Sequence, residues 1–420
     1  MKVTPVKGTN DYLPKEAALR DYLQSVILET YCHHGFQRIM TPILEDAENL
    51  DKSEGGENLN LIFKIMKRGD KLQKALVLGE EKELADLGLR YDLTLPLSRY
   101  YACHRNDLLL PMKCIQIDKV YRAERPQKGR LREFVQCDID IVGTKSYIAE
   151  LELIEITAEA LLAIGLKNFK IRINDRQLLR AILIDCGFME QELDSVCISF
   201  DKLDKIGSKR IAEELKEKGH SIDAVNKLLQ ILENMPKTIE DIKELFPEVE
   251  VENLEKIIEI ATRQAEEQYE VVFDMSLVRG QGYYTGTIFE VESLDFKGAV
   301  AGGGRYDHLI GKFLGEEVPA VGFSIGFERI FSILLEHGFM IPNKRKQVAI
   351  LYQPMEYIQA TKKAAQLRAT YDVCMYEKPK KLGKFLDKLE KEGIYGFWNF
   401  GQSEELSIMG KSKKNENERK

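Results

Sequence analysis

The chain crowds five cations into residues 121–136, YRAERPQKGRLREFVQ, where Arg122, Arg125, Lys128, Arg130 and Arg132 surround a Pro-Gln-Lys-Gly turn. A planar guanidinium matches phosphate oxygens two at a time and stays charged, so this pattern suits a triphosphate and charge developing at phosphorus. On charge alone, a solvated basic hairpin is the commoner outcome of such a run. A second candidate is LVRGQGYYTGTIFE at 277–290, with Arg279 and the pair Tyr283-Tyr284 set among glycines that permit a tight backbone beside a ligand. Its GxGxxxG spacing does not fit a dinucleotide fingerprint, and core tyrosines between turn glycines are an equal reading. The third, at 301–329, joins a glycine run to GFSIGFER and ends on Arg329, which could face a phosphate or simply pair with a carboxylate. The fourth, LRYDLTLPL, supplies Asp92 and Thr94, an acid and a hydroxyl able to accept hydrogen bonds from an ammonium group, or else an exposed turn.

Elements that could hold these residues follow from hydrophobic spacing. Leu19, Tyr22, Leu23, Val26, Ile27 and Tyr31 recur at helical intervals before Gly35. FQRIMTPILE, KCIQIDKVYRAE and residues 134–143 read as strands, and 146–162 as a strong helix. From about 174 to 267 the pattern becomes repeated Lys- and Glu-rich amphipathic helices, broken at Gly219, Pro236 and Pro247. Strands return with YEVVFDMSL, GTIFEVE and GAVAGG, and a long helix is expected to begin near Gly322 and run to His337. Beyond Pro342, strands QVAILY, DVCMYE and YGFWNF alternate with two helices, which predicts a small α/β domain with a partly parallel sheet. The terminal GKSKKNENERK is too polar to pack.

With 420 residues, 44% of them hydrophobic, the chain can bury a sizeable core in two or three domains. Its net charge of −7 means that a nucleic-acid partner would have to be met by local basic patches. Seven scattered cysteines without a CxxC pair argue against a disulfide framework or a zinc site and for a reducing cytoplasm, and the six histidines form no metal-ligating pattern. No stretch approaches the roughly 18 apolar residues of a membrane span, and the start lacks a signal-like apolar region.

The ordered motifs resemble one family. YRAE followed by a basic loop is similar to the second signature motif of class II aminoacyl-tRNA synthetases, and ERPQKGRLREF resembles its histidyl version. RGQGYYTGTIFE resembles the histidine-specific peptide RGLDYYTGxxFE, with Gln281 and Gly282 where Leu and Asp are usual. GFSIGFER resembles the third class II motif, and LRYDLT occupies the place of LRYDLT or LRPEGT. The resemblance runs from KGTNDYLP through INDRQLL and SFDKLDKIG, nearly the whole chain.

It implies an α+β fold: a class II antiparallel-sheet catalytic core over 1–174 and 268–340, a helical insertion over 175–267, a small C-terminal α/β anticodon-binding-like domain over 345–410 and a disordered charged tail over 411–420. It implies that Arg122 holds the α-phosphate of ATP, Glu124 recognises adenine, Phe134 stacks on it, Arg130 assists at the phosphates and Arg329 binds the γ-phosphate. Histidine would be held by Asp92, Leu93 and Thr94 at its amino group, by Gln136, by Arg279 at its carboxylate, and by Tyr283, Tyr284 and Asp140, the last accepting from the imidazole opposite Tyr284. The implied activity is histidine–tRNA ligation in the cytoplasm: ATP and Mg²⁺ form histidyl adenylate, with Arg122, Arg279 and Arg329 as the catalytic cations and no metal ligand expected from the protein. The implied partners are L-histidine, tRNA(His) and a second copy of the chain, paired near Pro42. Lys128 would reach the acceptor end, and KPKKLGK would offer the anticodon a basic patch. The alternative is the non-catalytic regulatory subunit of ATP phosphoribosyltransferase, which keeps the fold and senses histidine but typically loses the histidine peptide, motif arginines or C-terminal domain.

Overall fold

In the computed structural model, the described residues are 1–52, 60–127, 129–200, 202–278, 283–295, 298–403 and 405–410. They fall into two compact units, Met1–Phe339 and Met340–Lys420. The strands are, in chain order, β1 (Gln37–Arg38), β2 (Leu44–Asp46), β3 (Lys64–Met66), β4 (Ala85–Leu89), β5 (Met112–Tyr121), β6 (Glu133–Val142), β7 (Phe169–Asp175), β8 (Glu270–Phe273), β9 (Thr287–Ser293), β10 (Ala299–Arg305), β11 (Ala320–Gly326), β12 (Gln347–Tyr352), β13 (Asp372–Glu377), β14 (Gly396–Asn399) and β15 (Ser407–Ile408).

The first unit is built on an eight-stranded sheet in the order β1-β5-β6-β11-β10-β9-β7-β8, antiparallel except for the outer pairs β1/β5 and β7/β8. Its two faces differ because side chains alternate along a strand. On β5 and β6, Ile115, Ile117, Cys137, Ile139 and Ile141 point to the back, where the helices Pro14–His33 and Ile148–Ala163 cover them. Leu23, Ile27, Leu153, Ile154 and Ile156 are fully buried on those helices. Each such side chain contributes about 1.5–3 kcal/mol on leaving water, which fixes the register of the central hairpin. The front faces of the same strands are polar, and that is where the site forms.

The parallel pair β7/β8 needs a long crossover, and the helices from Arg176–Cys186 to Glu252–Gln264 supply it. The first of them starts where Asp175 accepts from the backbone N–H of Gln177 at 2.7 Å, and it stops at Gly187, whose φ of 102° suits only glycine. A small sheet, β2-β4-β3, delivers the chain to residues 90–93 and then to the helix Thr94–His104.

One expectation is corrected. Residues 320–326 are strand β11, and the helix begins only at Phe327. Val321, Phe323 and Ile325 alternate with Gly322, Ser324 and Gly326, a period of two that the glycines obscured by contributing no polar side chain.

The second unit holds β12, β13 and β14 in parallel, with β15 antiparallel against β14. Its helices Tyr357–Leu367 and Leu382–Glu392 lie over Val348 and Ile350 and over Ala349 and Leu351 respectively. Residues 411–420, expected to be a disordered tail, lie outside the described residues. No helix among the described residues is long and apolar enough to cross a membrane.

Candidate active site

Alternation on β6 sends Phe134, Gln136, Asp138 and Asp140 to the front of the sheet, where they line a cavity of about 350 Å³. Antiparallel register then sets a polar row across six strands: Gln116, Asp138, Ser324, Gly302, Glu290 and Arg172. The next row runs from Asp140 to Gly322 and Gly304. These glycines are steric necessities. A Cβ on Gly322 would stand 2.0 Å from Asp140 Oδ1, and one on Gly304 would stand 2.9 Å from Tyr284 Cδ1. The glycine run of β10 therefore makes room for site side chains and is a strand, not a phosphate loop.

The structure brings most sequence-predicted residues to this one cavity: Asp92, Thr94, Arg122, Glu124, Arg130, Phe134, Gln136, Asp140, Tyr283, Tyr284 and Arg329 all line it. Leu93 does not. Its side chain is fully buried in the core and its carbonyl accepts from Gln116 Nε2 at 2.9 Å. Arg279, Gln281 and Gly282 lie outside the described residues, as does Lys128.

In the cavity Arg122 lies beside Phe134, its guanidinium carbon 5.1 Å from the ring centroid, while its Nε donates to the carbonyl of Tyr91 at 2.8 Å. Glu124 sits 3.9 Å from Arg122 and 3.5 Å from Arg130. Arg329, from the first turn of the helix Phe327–Glu336, donates to the carbonyl of Ala299. Three arginines from two separate segments thus line the same opening.

Other lining side chains are acidic or aromatic. Asp140 Oδ1 accepts from the Tyr306 hydroxyl at 2.6 Å, and Tyr283 packs against both Tyr284 (4.7 Å between centroids) and Tyr306 (6.0 Å). Tyr306, which the sequence did not single out, thus bonds Asp140 in the cavity that Tyr284 also lines. Asp92 is buried and accepts from Leu95 N at 3.1 Å, capping the helix that starts at Thr94. Gln136 Nε2 donates to Ser324 Oγ at 3.1 Å and lies within 3.4 Å of Asp138, whereas its buried Oε1 finds no donor among the described residues. An orphaned acceptor of this kind is costly unless a ligand satisfies it. Sequence reading missed Asp138, Glu290 and Tyr306; the alternation of Asp138 with Gln136 and Asp140 was the available signal.

Burial raises the carboxyl of Asp138 well above its usual range, and the neighbouring Asp140 adds to this. Asp140 is itself pushed up to about 7, mainly by burial, with Tyr306 opposing and Asp92 adding. An unfolded aspartate loses its proton near pH 3.9, whereas the folded one keeps it until about pH 7. Between those values the native state binds more protons, so this residue's contribution to stability falls as pH rises from about 4 to 7 and is level above that. Thermal denaturation should therefore show Asp140→Asn gaining on wild type as pH is raised through that window. A difference in melting temperature that stays flat from pH 5 to 8 would show that Asp140 ionises normally.

The model of the histidyl-tRNA synthetase family matches residues 8–330, more than three quarters of the chain. The chain belongs to the histidyl-tRNA synthetase family. It is 45% identical to a histidine–tRNA ligase of Leifsonia xyli subsp. xyli over 348 residues, 79% of this chain and 80% of that protein. Among solved structures, a histidyl-tRNA synthetase from Nostoc sp. PCC 7120 superposes with a TM-score of 0.78 at 28% identity and covers 100% of this chain and 99% of that one. A Bacillus halodurans C protein, described as an ATP phosphoribosyltransferase regulatory subunit/histidyl-tRNA synthetase, shares the fold with a TM-score of 0.75 at 23% identity over 92% of this chain and 96% of its own. The class II α+β fold and the activity of an ATP-dependent histidine–tRNA ligase follow from family membership.

Proposed function

We propose that this cavity forms histidyl adenylate and passes it to tRNA(His), with two sets of lining side chains dividing the work. Adenine stacks on Phe134 and is read by Glu124. Arg122 takes the α-phosphate, Arg130 assists, and Arg329 holds the γ-phosphate so that the triphosphate bends. Histidine lies against the acidic set, its ammonium group shared by Asp92, Thr94 and the orphaned Oε1 of Gln136, its imidazole held by the Asp140–Tyr306 pair between Tyr283 and Tyr284. The observation that carries this reading is the convergence of three arginines and three buried carboxylates, Asp92, Asp138 and Asp140, on one cavity. It supports a site for two ligands of opposite charge character.

The chemistry needs no covalent protein intermediate. A carboxylate oxygen of histidine attacks the α-phosphorus, the bond to the bridging oxygen breaks, and pyrophosphate leaves. Positioning and charge stabilisation lower the barrier, with Arg122 at the reacting phosphorus and Arg279, by its family resemblance, at the carboxylate. A hydroxyl of the terminal ribose of tRNA then attacks the adenylate carbonyl and releases AMP. Mg²⁺ neutralises phosphate charge when bound. Its usual habit of taking one or two protein carboxylates besides phosphate oxygens and water fits Glu290, which lines the wall beside Gly302.

Two copies of the chain pair through the segment around Pro42, a reading supported by the exposed Met40, Ile43, Leu44 and Leu87. The second unit takes the anticodon through Lys378, Lys380, Lys381 and Lys384, and the enzyme works in the cytoplasm, consistent with seven free cysteines. The deciding experiment is ATP–pyrophosphate exchange with Mg²⁺ and each of the twenty amino acids. Exchange dependent on histidine alone is expected; histidine binding with no exchange would transfer the chain to the regulatory reading.

A further inference from the structure

The residue just before Arg329 is a carboxylate that accepts four hydrogen bonds. Glu328 accepts from Arg20 through both nitrogens, at 2.6 and 2.7 Å, from the Tyr12 hydroxyl at 3.2 Å and from the backbone N–H of Val135 at 3.2 Å. All four donors come from outside its own helix. Arg20 is 8% exposed and Glu328 7%, and the Arg20 guanidinium is covered by the rings of Tyr12 (4.0 Å), Phe327 (4.8 Å) and Phe331 (5.1 Å). A buried ion pair is weak evidence for stability, because well-packed apolar side chains often serve as well. What such a pair fixes is geometry: a two-pronged guanidinium–carboxylate contact tolerates little rotation or slip.

The geometry at stake is that of the triphosphate site. Val135 stands between Phe134 and Gln136 on β6, and Glu328 is adjacent to Arg329. One carboxylate therefore ties the backbone that presents the stacking ring to the helix turn that presents the γ-phosphate arginine. The N-terminal segment that supplies Tyr12 and Arg20 also braces the basic loop, since Gly8 O accepts from Arg132 N at 2.7 Å and Arg132 Nε donates to Glu124 O at 3.1 Å. A Cβ on Gly8 would fall 2.8 Å from side-chain atoms of both Arg132 and Pro126, so the segment lies directly on the loop.

We propose that Arg20 is a positioning residue for ATP: acting through Glu328, it sets the separation between Phe134 and Arg329 and so tunes affinity for the bent triphosphate without touching it. The proposal rests on the ATP-site reading above. Among the described residues the network's hydrogen bonds end at Val135 and at Arg132 and Glu124, short of Asp140, Tyr283 and Tyr306, and Gln136 is its one neighbour assigned to histidine, so the larger effect falls on ATP.

Removing Arg20 alone would strand Glu328, and the protein could fail to fold for that reason only. The test therefore uses the double variant Arg20→Met/Glu328→Gln, which removes both charges, beside Arg20→Lys, which keeps charge but loses the fork. In histidine-dependent ATP–pyrophosphate exchange, both should raise the KM for ATP by about tenfold, with the KM for histidine within twofold of wild type and the double variant melting near wild type. An ATP KM within twofold of wild type in the folded double variant would overturn the inference and leave the pair purely structural. Equal rises in both KM values would overturn it too. Arg329→Ala is the separate control: a raised ATP KM there with none in the double variant defeats only the positioning role, whereas no change in Arg329→Ala defeats the ATP-site reading itself.

Discussion

Arg122→Ala is expected to lower kcat for histidine-dependent ATP–pyrophosphate exchange by about 10³-fold in a protein that remains folded, the upper end of what losing one preorganised donor to a developing charge costs. The guanidinium lines the cavity, and its protein contacts are modest: one hydrogen bond to the carbonyl of Tyr91, a 3.9 Å approach to Glu124 and the face of Phe134. Losing the hydrogen bond to Tyr91 costs on the order of 1 kcal/mol of stability, too little to unfold a domain. The chemical step, by contrast, loses a charge placed where negative charge builds. Arg122→Lys should fall between the two, since an ammonium keeps the charge but cannot span two phosphate oxygens. Exchange kinetics on protein checked by circular dichroism decides the matter; a folded alanine variant within tenfold of wild-type kcat would remove Arg122 from the α-phosphate.

Gly322→Ala should act on the other ligand. Its new methyl group would stand 2.0 Å from Asp140 Oδ1, 3.0 Å from Asp140 Cγ and 3.3 Å from Tyr306 Cε1, so the carboxylate has to turn away and its 2.6 Å bond to Tyr306 is lost. A displacement of about 1 Å in a positioning group can cost 10²-fold, and a site built to hydrogen-bond its substrate suffers most when a polar partner is misaligned. The expected result is a fall in kcat/KM for histidine of about 10²-fold with the KM for ATP nearly unchanged, because the displaced groups, Asp140 and Tyr306, are not those proposed to hold ATP. Should histidine kinetics stay within threefold of wild type, the Asp140–Tyr306 pair is not what reads the imidazole.

These two substitutions differ in how far the sequence could foresee them. Arg122 was legible as part of a family motif, which outweighed the solvated hairpin that a run of cations suggests on charge alone. The front-facing set Phe134, Gln136 and Asp140 was also written in the chain, since a strand's period of two sends alternate residues to one face wherever the pairing runs. Asp138 obeys the same period and could have been added on that ground alone. Gly322 could not. Its importance is a matter of what stands across from it on β6, and register between strands nearly two hundred residues apart is set by the packing of the back face, not by either strand's own residues.

The same holds for residues whose surroundings the sequence does not show. Leu93 sits between two polar site residues in the chain, yet the turn into the helix Thr94–His104 points it into the core while Asp92 and Thr94 face the cavity. Tyr306 follows a glycine run that carries no sign of a hydroxyl aimed at Asp140, and Arg20 looks like one more polar position on an amphipathic helix until Glu328, over three hundred residues away, closes on it. Residue types, their order and their local periodicity determined by themselves the family, the reaction and the cluster of cations at residues 122–132, because those depend on chemistry carried by short segments. Which side chains meet across the sheet, which glycines are obligatory and which buried charge braces the ATP motifs were decided only by the tertiary structure, because each depends on a distance between segments that no local pattern encodes.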